Sequence, residues 1–228
     1  MKQNAAKLNK TLKNFHTWLK KNQDYVAMLS HGSIATNDPW IPGFSDYDIT
    51  IIYKKDKLEN FIKAKAYLKT AKLSDLYHFY PHTITEIQRA GTNTFAFSRV
   101  FRTKVLFGKN VLQKQQIPKK KVAQELYNKE LENEKLRLQV NLVNNHKSTK
   151  KVRKEFWRIF KHIFMILAIR TYAKTGKYPR TREEVVKKMN SPSELQEAWE
   201  TLHHINRKTK EEIFHTGQRL INWLKTIK

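Results

Sequence analysis

Apolar residues recur along residues 4–21 at Leu8, Leu12, Phe15 and Leu19, spacings of four, three and four that predict an amphipathic helix packed on a sheet. Residues 25–29 form a short apolar run followed by His31-Gly32-Ser33. A loop holding Asn37, Asp38, Pro39, Pro42 and Gly43 then leads into Asp46-Tyr47-Asp48 and the β-branched run 49–53. That pattern reads as strand, loop, strand. Asp56 with Glu59 opens a predicted helix to residue 71 carrying Leu58, Phe61, Ile62 and Leu68, and residues 76–84 read as a third strand. The stretch TFAFSRVFRTKVLF, residues 94–107, has helical spacing and stops at Gly108.

From residue 119 onward the spacing is helical almost throughout. Three oxygen caps are followed by a glutamate at the third helical position: Thr181 with Glu184, Ser191 with Glu194 after Pro192, and Thr209 with Glu212. The helices they open should bury Val185 and Met189, then Leu195, Trp199, Leu202 and Ile205, then Ile213, Leu220, Leu224 and Ile227. The chain changes from mixed α/β to all-α near QKQQIPKKK, residues 113–121, which reads as a linker.

The 228 residues contain no cysteine, which removes disulfides and thiolate metal sites. With 39% apolar residues, 12 Phe, 9 Tyr and 5 Trp, the chain has core-forming material enough to fold despite 29% charged residues. Lys plus Arg outnumber Asp plus Glu by 45 to 20, so a formal charge of +25 demands nearby anions. Nucleic acid is the leading candidate and an anionic membrane surface the lesser. The excess is uneven: residues 1–100 carry 15 basic and 8 acidic side chains, residues 101–228 carry 30 and 12. Its densest window is residues 147–161, where seven basic residues face one acid, Glu155. There Lys150, Lys151, Arg153, Lys154, Arg158 and Lys161 are the candidate nucleic-acid contacts, against the plainer reading of a solvated helical face. No stretch approaches the roughly 20 apolar residues of a membrane helix, and the N-terminus lacks a signal-type apolar region, so the expected setting is cytoplasmic, without membrane association.

The chemistry concentrates in His31-Gly32-Ser33 and Asp46-Tyr47-Asp48. Side chains alternate along a strand, so Asp46 and Asp48 share a face and are placed to share divalent cations. Carboxylate oxygens suit Mg²⁺, which keeps waters and accepts phosphate oxygens from a substrate. A Gly-Ser turn brings bare backbone and a hydroxyl toward the same point, and both hold phosphate. These are the parts of a metal-dependent phosphoryl or nucleotidyl transfer site.

MLSHGS followed by GFSDYDITIIY resembles the nucleotidyltransferase fold of the polymerase beta superfamily: an apolar strand, Gly-Ser, a spacer, and Asp-x-Asp entering the next strand. KVLFGKNVL resembles the Leu-x-Gly element that closes such domains, and RIFKHIFMILAIRTYAKTGKYPRTREEVVKKM is similar to the helical C-terminal domain of aminoglycoside-type nucleotidyltransferases. The resemblance implies an α+β chain: a nucleotidyltransferase domain with a mixed sheet over residues 1–115, then an all-α helical bundle over residues 116–228. It implies that Asp46, Asp48 and Asp75 are catalytic and hold two Mg²⁺ ions, with Glu86, further along the third strand, competing with Asp75 for the third place. Gly32 and Ser33 would hold the β- and γ-phosphates of a nucleoside triphosphate, ATP foremost. His31 departs from the bulky apolar residue common before the Gly, and a hydrogen-bonded turn histidine is the expectation there.

By that resemblance the enzyme moves a nucleoside monophosphate to an acceptor hydroxyl and releases pyrophosphate. Aminoglycosides are polycations that a +25 protein repels at long range, so charge favours an RNA acceptor, tRNA-like. A small-molecule or protein adenylyltransferase, including a toxin–antitoxin role, is the alternative, and an inactive basic nucleic-acid-binding module is the second. A fused nuclease, whose motif has four to six residues between an Arg and a His, is disfavoured, because only three residues lie between Arg158 and His162. Oligomeric state is not legible.

Overall fold

The computed structural model describes residues 2–36, 38, 47–55, 57–71, 77–89, 93–143, 148–190 and 192–227, with the backbone only at residues 2–9, 33 and 34. In chain order these form α1 (Lys2–Leu19), β1 (Tyr25–His31), α2 (Ser33–Thr36), β2 (Tyr47–Tyr53), α3 (Lys57–Thr70), β3 (Tyr77–Thr83) and α4 (Ile84–Gln88). Then follow α5 (Thr94–Phe101), β4 (Thr103–Gly108), a 3₁₀ turn (Val111–Lys114), α6 (Lys120–Val143), α7 (Thr149–Thr175), α8 (Arg182–Lys188), α9 (Ser193–His203) and α10 (Lys210–Thr226). The chain divides into two compact units. Met1–Ala35, Asp46–Ala90 and Arg102–Gln116 make the first, and Thr36–Ser45, Gly91–Phe101 and Ile117–Lys228 the second.

The first unit is built on a four-stranded mixed sheet in the order β3-β2-β1-β4, with β1 antiparallel to β2 and β4 and β2 parallel to β3. The side-chain period of two distributes its residues between two layers. Met28, Ile49, Ile51 and Tyr53 meet Phe15 and Leu19 of α1 and Phe61 and Leu68 of α3 on one face. Ala27, Leu29 and Ile52 meet Ile87 of α4 and Val111 on the other. Burial on both faces is why β1 and β2 read as continuous apolar runs rather than alternating ones.

One expected element is replaced. The helix anticipated over residues 94–107 ends at Phe101, and Thr103–Gly108 is instead the edge strand β4 paired with β1. The apolar spacing fits a helix, but β1 offers an unpaired edge, and a Thr-Lys-Val-Leu-Phe segment suits a pleated, half-buried position better. Gly108 ends it at φ +86, where an added Cβ would lie 2.3 Å from the Val26 carbonyl oxygen.

The second unit is helical. α7 is its spine, burying Phe156, Phe160, Ile163, Phe164 and Leu167 against Leu126 and Leu138 of α6 and Leu195, Leu202, Ile213, Leu220 and Leu224 of α9 and α10. Gly217 of α10 lets the backbone approach α7, since a Cβ there would sit 2.7 Å from the Phe156 ring. The expected caps at Thr181 and Thr209 are present, the latter as a full capping box with Glu212. Ser191 and Asp56, the other expected caps, lie outside the described residues, and α9 opens at Ser193 after Pro192. Among the described residues no helix is long and apolar enough to cross a membrane.

Candidate active site

β1 runs out at His31, and Gly32 turns the chain at φ +66 into α2. That left-handed conformation strains any residue with a Cβ, which is the local reason for glycine. Space is not the reason: a Cβ at Gly32 would meet the Asp48 Oδ2 at an ordinary 3.6 Å. The same figure places the Asp48 carboxylate beside the Gly32 turn, on the side where a side chain at position 32 would begin. Asp48 is the second residue of β2, and its side chain is 30% exposed, enough for a ligand to reach it.

Register supplies the neighbours. Asp48 stands opposite His78 on β3, with His78 Nδ1 3.9 Å from Asp48 Oδ1. Tyr80 and His82 follow at the alternate positions opposite Thr50 and Ile52, so they share that face. His31 is fastened across the sheet: Nδ1 lies 2.7 Å from the Thr103 hydroxyl of β4, and Nε2 lies 2.5 Å from the Thr50 hydroxyl of β2. A neutral imidazole donates from one nitrogen and accepts at the other, so His31 stitches three strands at the rim. This is the hydrogen-bonded turn histidine expected before Gly32.

No protein-family model matches the chain, and no curated protein does. Solved structures do match. The spectinomycin adenyltransferase AAD(9) from Enterococcus faecialis, crystallised with ATP and spectinomycin, superposes with a TM-score of 0.53 at 12% identity, over 95% of this chain and 98% of that one. The chain has the α+β nucleotidyltransferase fold with a helical C-terminal domain.

Within that nucleotidyltransferase fold the expected site residues fare differently. Gly32 and Asp48 come together as described, while Asp46 and Asp75 lie outside the described residues and Ser33 is described by its backbone alone. Among the described residues no group of three or more His, Asp or Glu side chains is gathered to hold a metal ion. Glu86 is not on a strand. β3 ends at Thr83, and Glu86 is the third residue of α4, where it closes a capping box by accepting from the Thr83 N–H at 2.8 Å. It is also paired with Lys57 and lies 3.7 Å from His82 Nδ1. Thr83 is opposite Tyr53 whereas His78 is opposite Asp48, so Glu86 follows a strand end about 16 Å from Asp48 and is removed from any shared metal. Burial would raise the Glu86 carboxyl, but the hydrogen bonds from Lys57 and Thr83 and the charges of Lys57 and His82 outweigh it and hold the group at about 2.

The basic candidates on α7 also divide. Lys150, Lys154 and Arg158 follow at spacings of four, one row along the helix, and all are exposed, as is Lys151 beside them. Arg153 instead donates twice to the Lys208 carbonyl, at 2.9 and 2.6 Å, tying α7 to the turn before α10. Lys161 lies with its ammonium 4.8 Å from the Trp157 ring centre. Two features escaped the pattern reading. One is His78, visible only through the β2–β3 register. The other is a buried pair in the helical unit, Glu134 with His162 at 2.7 Å.

Proposed function

We propose that this protein is a nucleotidyltransferase that moves a nucleoside monophosphate from ATP to a hydroxyl of a small-molecule acceptor, with release of pyrophosphate. The observation that carries the reading is the placement of the Asp48 carboxylate beside the Gly32 turn, 3.6 Å from where a Cβ at position 32 would lie, at the rim of a sheet with the nucleotidyltransferase fold. Backbone freed of a Cβ at a strand end is where a triphosphate is received, and an accessible carboxylate beside it is where its charge is managed. Gly32 and Ser33 would bind the β- and γ-phosphates.

The donor chemistry fits Mg²⁺. Asp48 offers carboxylate oxygens at a solvent-reachable position, and Mg²⁺ needs only one or two protein carboxylates besides substrate phosphates and waters. Asp46 and Asp48 would hold it, with Asp75 as the third carboxylate. Bound there, it would neutralise phosphate charge and draw the entering and leaving oxygens into line. Asp75 would take the proton of the acceptor hydroxyl. His31, held by Thr50 and Thr103, keeps the β1 end and the Gly32 turn in place.

A small-molecule acceptor is favoured by the likeness over the full length to an adenyltransferase crystallised with ATP and spectinomycin. The net charge of +25 argues less than it first does, because acceptor choice is set by the groups lining one pocket and not by the whole-molecule sum. A second reading, transfer to RNA, is favoured by the exposed row Lys150, Lys154 and Arg158 on α7. One experiment separates them: incubation with labelled ATP, Mg²⁺ and, in separate arms, aminocyclitol and aminoglycoside antibiotics, tRNA, or the protein alone. Label on a small molecule supports the first reading and label on tRNA the second. Label nowhere, with any of the four nucleotides, overturns the transferase reading.

A further inference from the structure

Lys150, Lys154 and Arg158 continue at the same spacing of four to His162, so one row of α7 runs from three exposed cations, spread over about 12 Å, to an imidazole. Glu155 is the one acid on α7, and it is off that row. Phe95 of α5 lies parallel on the His162 ring, with centroids 5.2 Å apart and planes within 7°. His162 thus covers one face of the Phe95 ring, and with 65% of the residue exposed the other face is open to solvent. Two positions on, Phe97 is wholly buried in the helical core, so α5 turns one phenylalanine inward and holds the other out.

The support beneath that ring is rigid. His162 Nδ1 lies 2.7 Å from Oε1 of the buried Glu134, and Arg137, on the next turn of α6, reaches the same oxygen at 3.2 Å. The imidazole cannot rotate without breaking this bond, so Phe95 rests on a fixed plane. Arg137 is 43% exposed, and of its five guanidinium N–H donors Glu134 takes one. Arg137 from α6 and Arg158 from α7 both adjoin His162. A line of cations attracts any polyanion, whereas a fixed ring with one open face selects a partner that stacks. Phosphate contacts along a basic track and bases stacked on an aromatic side chain are the two parts of single-strand nucleic-acid binding. A duplex keeps its bases stacked on one another, and an anionic membrane matches the charge but offers the ring no flat partner.

We infer that Phe95 and the α7 row form a binding surface for a single-stranded nucleic acid, with a base stacked on Phe95 and the backbone running along Arg158, Lys154 and Lys150. Binding there needs neither ATP nor Mg²⁺, so it stands or falls apart from either reading of the transfer reaction. The test is fluorescence anisotropy of the full chain in EDTA, without ATP, over a series of NaCl concentrations. Its probes are labelled oligothymidine and oligouridine about 12 nucleotides long, and an abasic oligodeoxynucleotide of the same length. Saturable binding of the strands with bases is expected. Phe95→Ala should weaken it at least fivefold and leave the abasic strand unaffected, and Phe95→Trp should restore it. Lys154→Gln/Arg158→Gln should weaken binding of all three strands and flatten the slope of log K against log salt by about 1.4, the share of two phosphate contacts. A control of equal charge, Lys65→Gln/Lys69→Gln on α3, should keep the parent's slope, and circular dichroism checks the fold of each variant. Tighter binding of oligouridine marks RNA as the partner and tighter binding of oligothymidine marks DNA; either supports the surface. Absence of saturable binding to both strands with bases overturns the inference, including the case in which phosphatidylserine vesicles bind instead. So does a Phe95→Ala protein that binds those strands as the parent does or loses the abasic strand equally, and so does an equal loss of slope in the α3 control.

Discussion

Asp48 and His78 face each other on adjacent parallel strands, with Oδ1 and Nδ1 3.9 Å apart and both side chains reachable from solvent. An Asn at position 48 keeps the shape of the side chain while removing the charge that a metal or a phosphate-bound cation would need. Asp48→Asn is therefore expected to lower nucleotidyl transfer by more than about a hundredfold, the scale of losing one group that meets developing charge. Its unfolding free energy should move by less than about 1 kcal/mol, because the residue is partly exposed. Labelled-nucleotide transfer and urea denaturation measured side by side check both halves. Full activity in a folded Asp48→Asn protein removes the catalytic role.

Two left-handed glycines should respond differently to alanine. At Gly32 a Cβ finds ordinary contact at 3.6 Å, so Gly32→Ala meets only the conformational penalty, about 1–2 kcal/mol. At Gly108 the same atom would lie 2.3 Å from one backbone oxygen and 2.8 Å from the Ala27 Cα, so β4 must shift away from β1. Gly108→Ala is expected to cost more than about 3 kcal/mol by adding that clash to the strain. Comparable losses in the two variants would show that close approach to β1 is not what Gly108 provides.

How much of this was legible follows from where the information resides. β1 and β2 could be read because their two-sided burial is written as unbroken apolar runs, and the Thr181 and Thr209 caps because each is complete within four residues. β4 could not be read, since its partner β1 lies more than 70 residues upstream and its own apolar spacing fits a helix equally well. His78 is the same case at the candidate site: nothing local assigns it to Asp48 until the parallel register of β2 and β3 does. Glu86 was misplaced for want of a single turn, because the capping box that Thr83 opens ends the strand before it. Net charge carried the reading toward RNA, although it describes the whole surface and not the lining of a pocket.

Glu86 gives a pH dependence with a definite sign. Its carboxyl is held at about 2 in the folded protein against an ordinary 4.5, so the stability it contributes is present above pH 4.5 and fades as pH falls toward 2. The shift corresponds to about 3 kcal/mol unscreened, and with 38% of the side chain exposed, solvent screening leaves about 1 kcal/mol. Glu86→Gln keeps the capping geometry and removes the charge. It should be less stable than the parent by that amount at pH 7, converge with it near pH 2, and leave nucleotidyl transfer unchanged. A stability gap that persists at pH 2, or a large loss of transfer, contradicts the assignment of Glu86 to the cap.

The buried pair in the helical unit should behave as a unit. Glu134 is 5% exposed in its side chain, and Oε1 takes both His162 Nδ1 at 2.7 Å and an Arg137 nitrogen at 3.2 Å. Phe95 lies parallel on the His162 ring, centroids 5.2 Å apart. His162→Phe keeps the ring and its stacking but strips the hydrogen bond from a buried carboxylate, which Arg137 alone then serves. A loss of about 2–3 kcal/mol is expected, below the full cost of an orphaned buried charge because that second partner remains. Replacing both members, Glu134→Leu with His162→Leu, removes the desolvated charge as well as its partner and should recover most of the loss. Urea denaturation of the parent, His162→Phe and the double variant compares the three. A single variant as stable as the parent, or a double variant no better than the single, would show that the pair is not coupled.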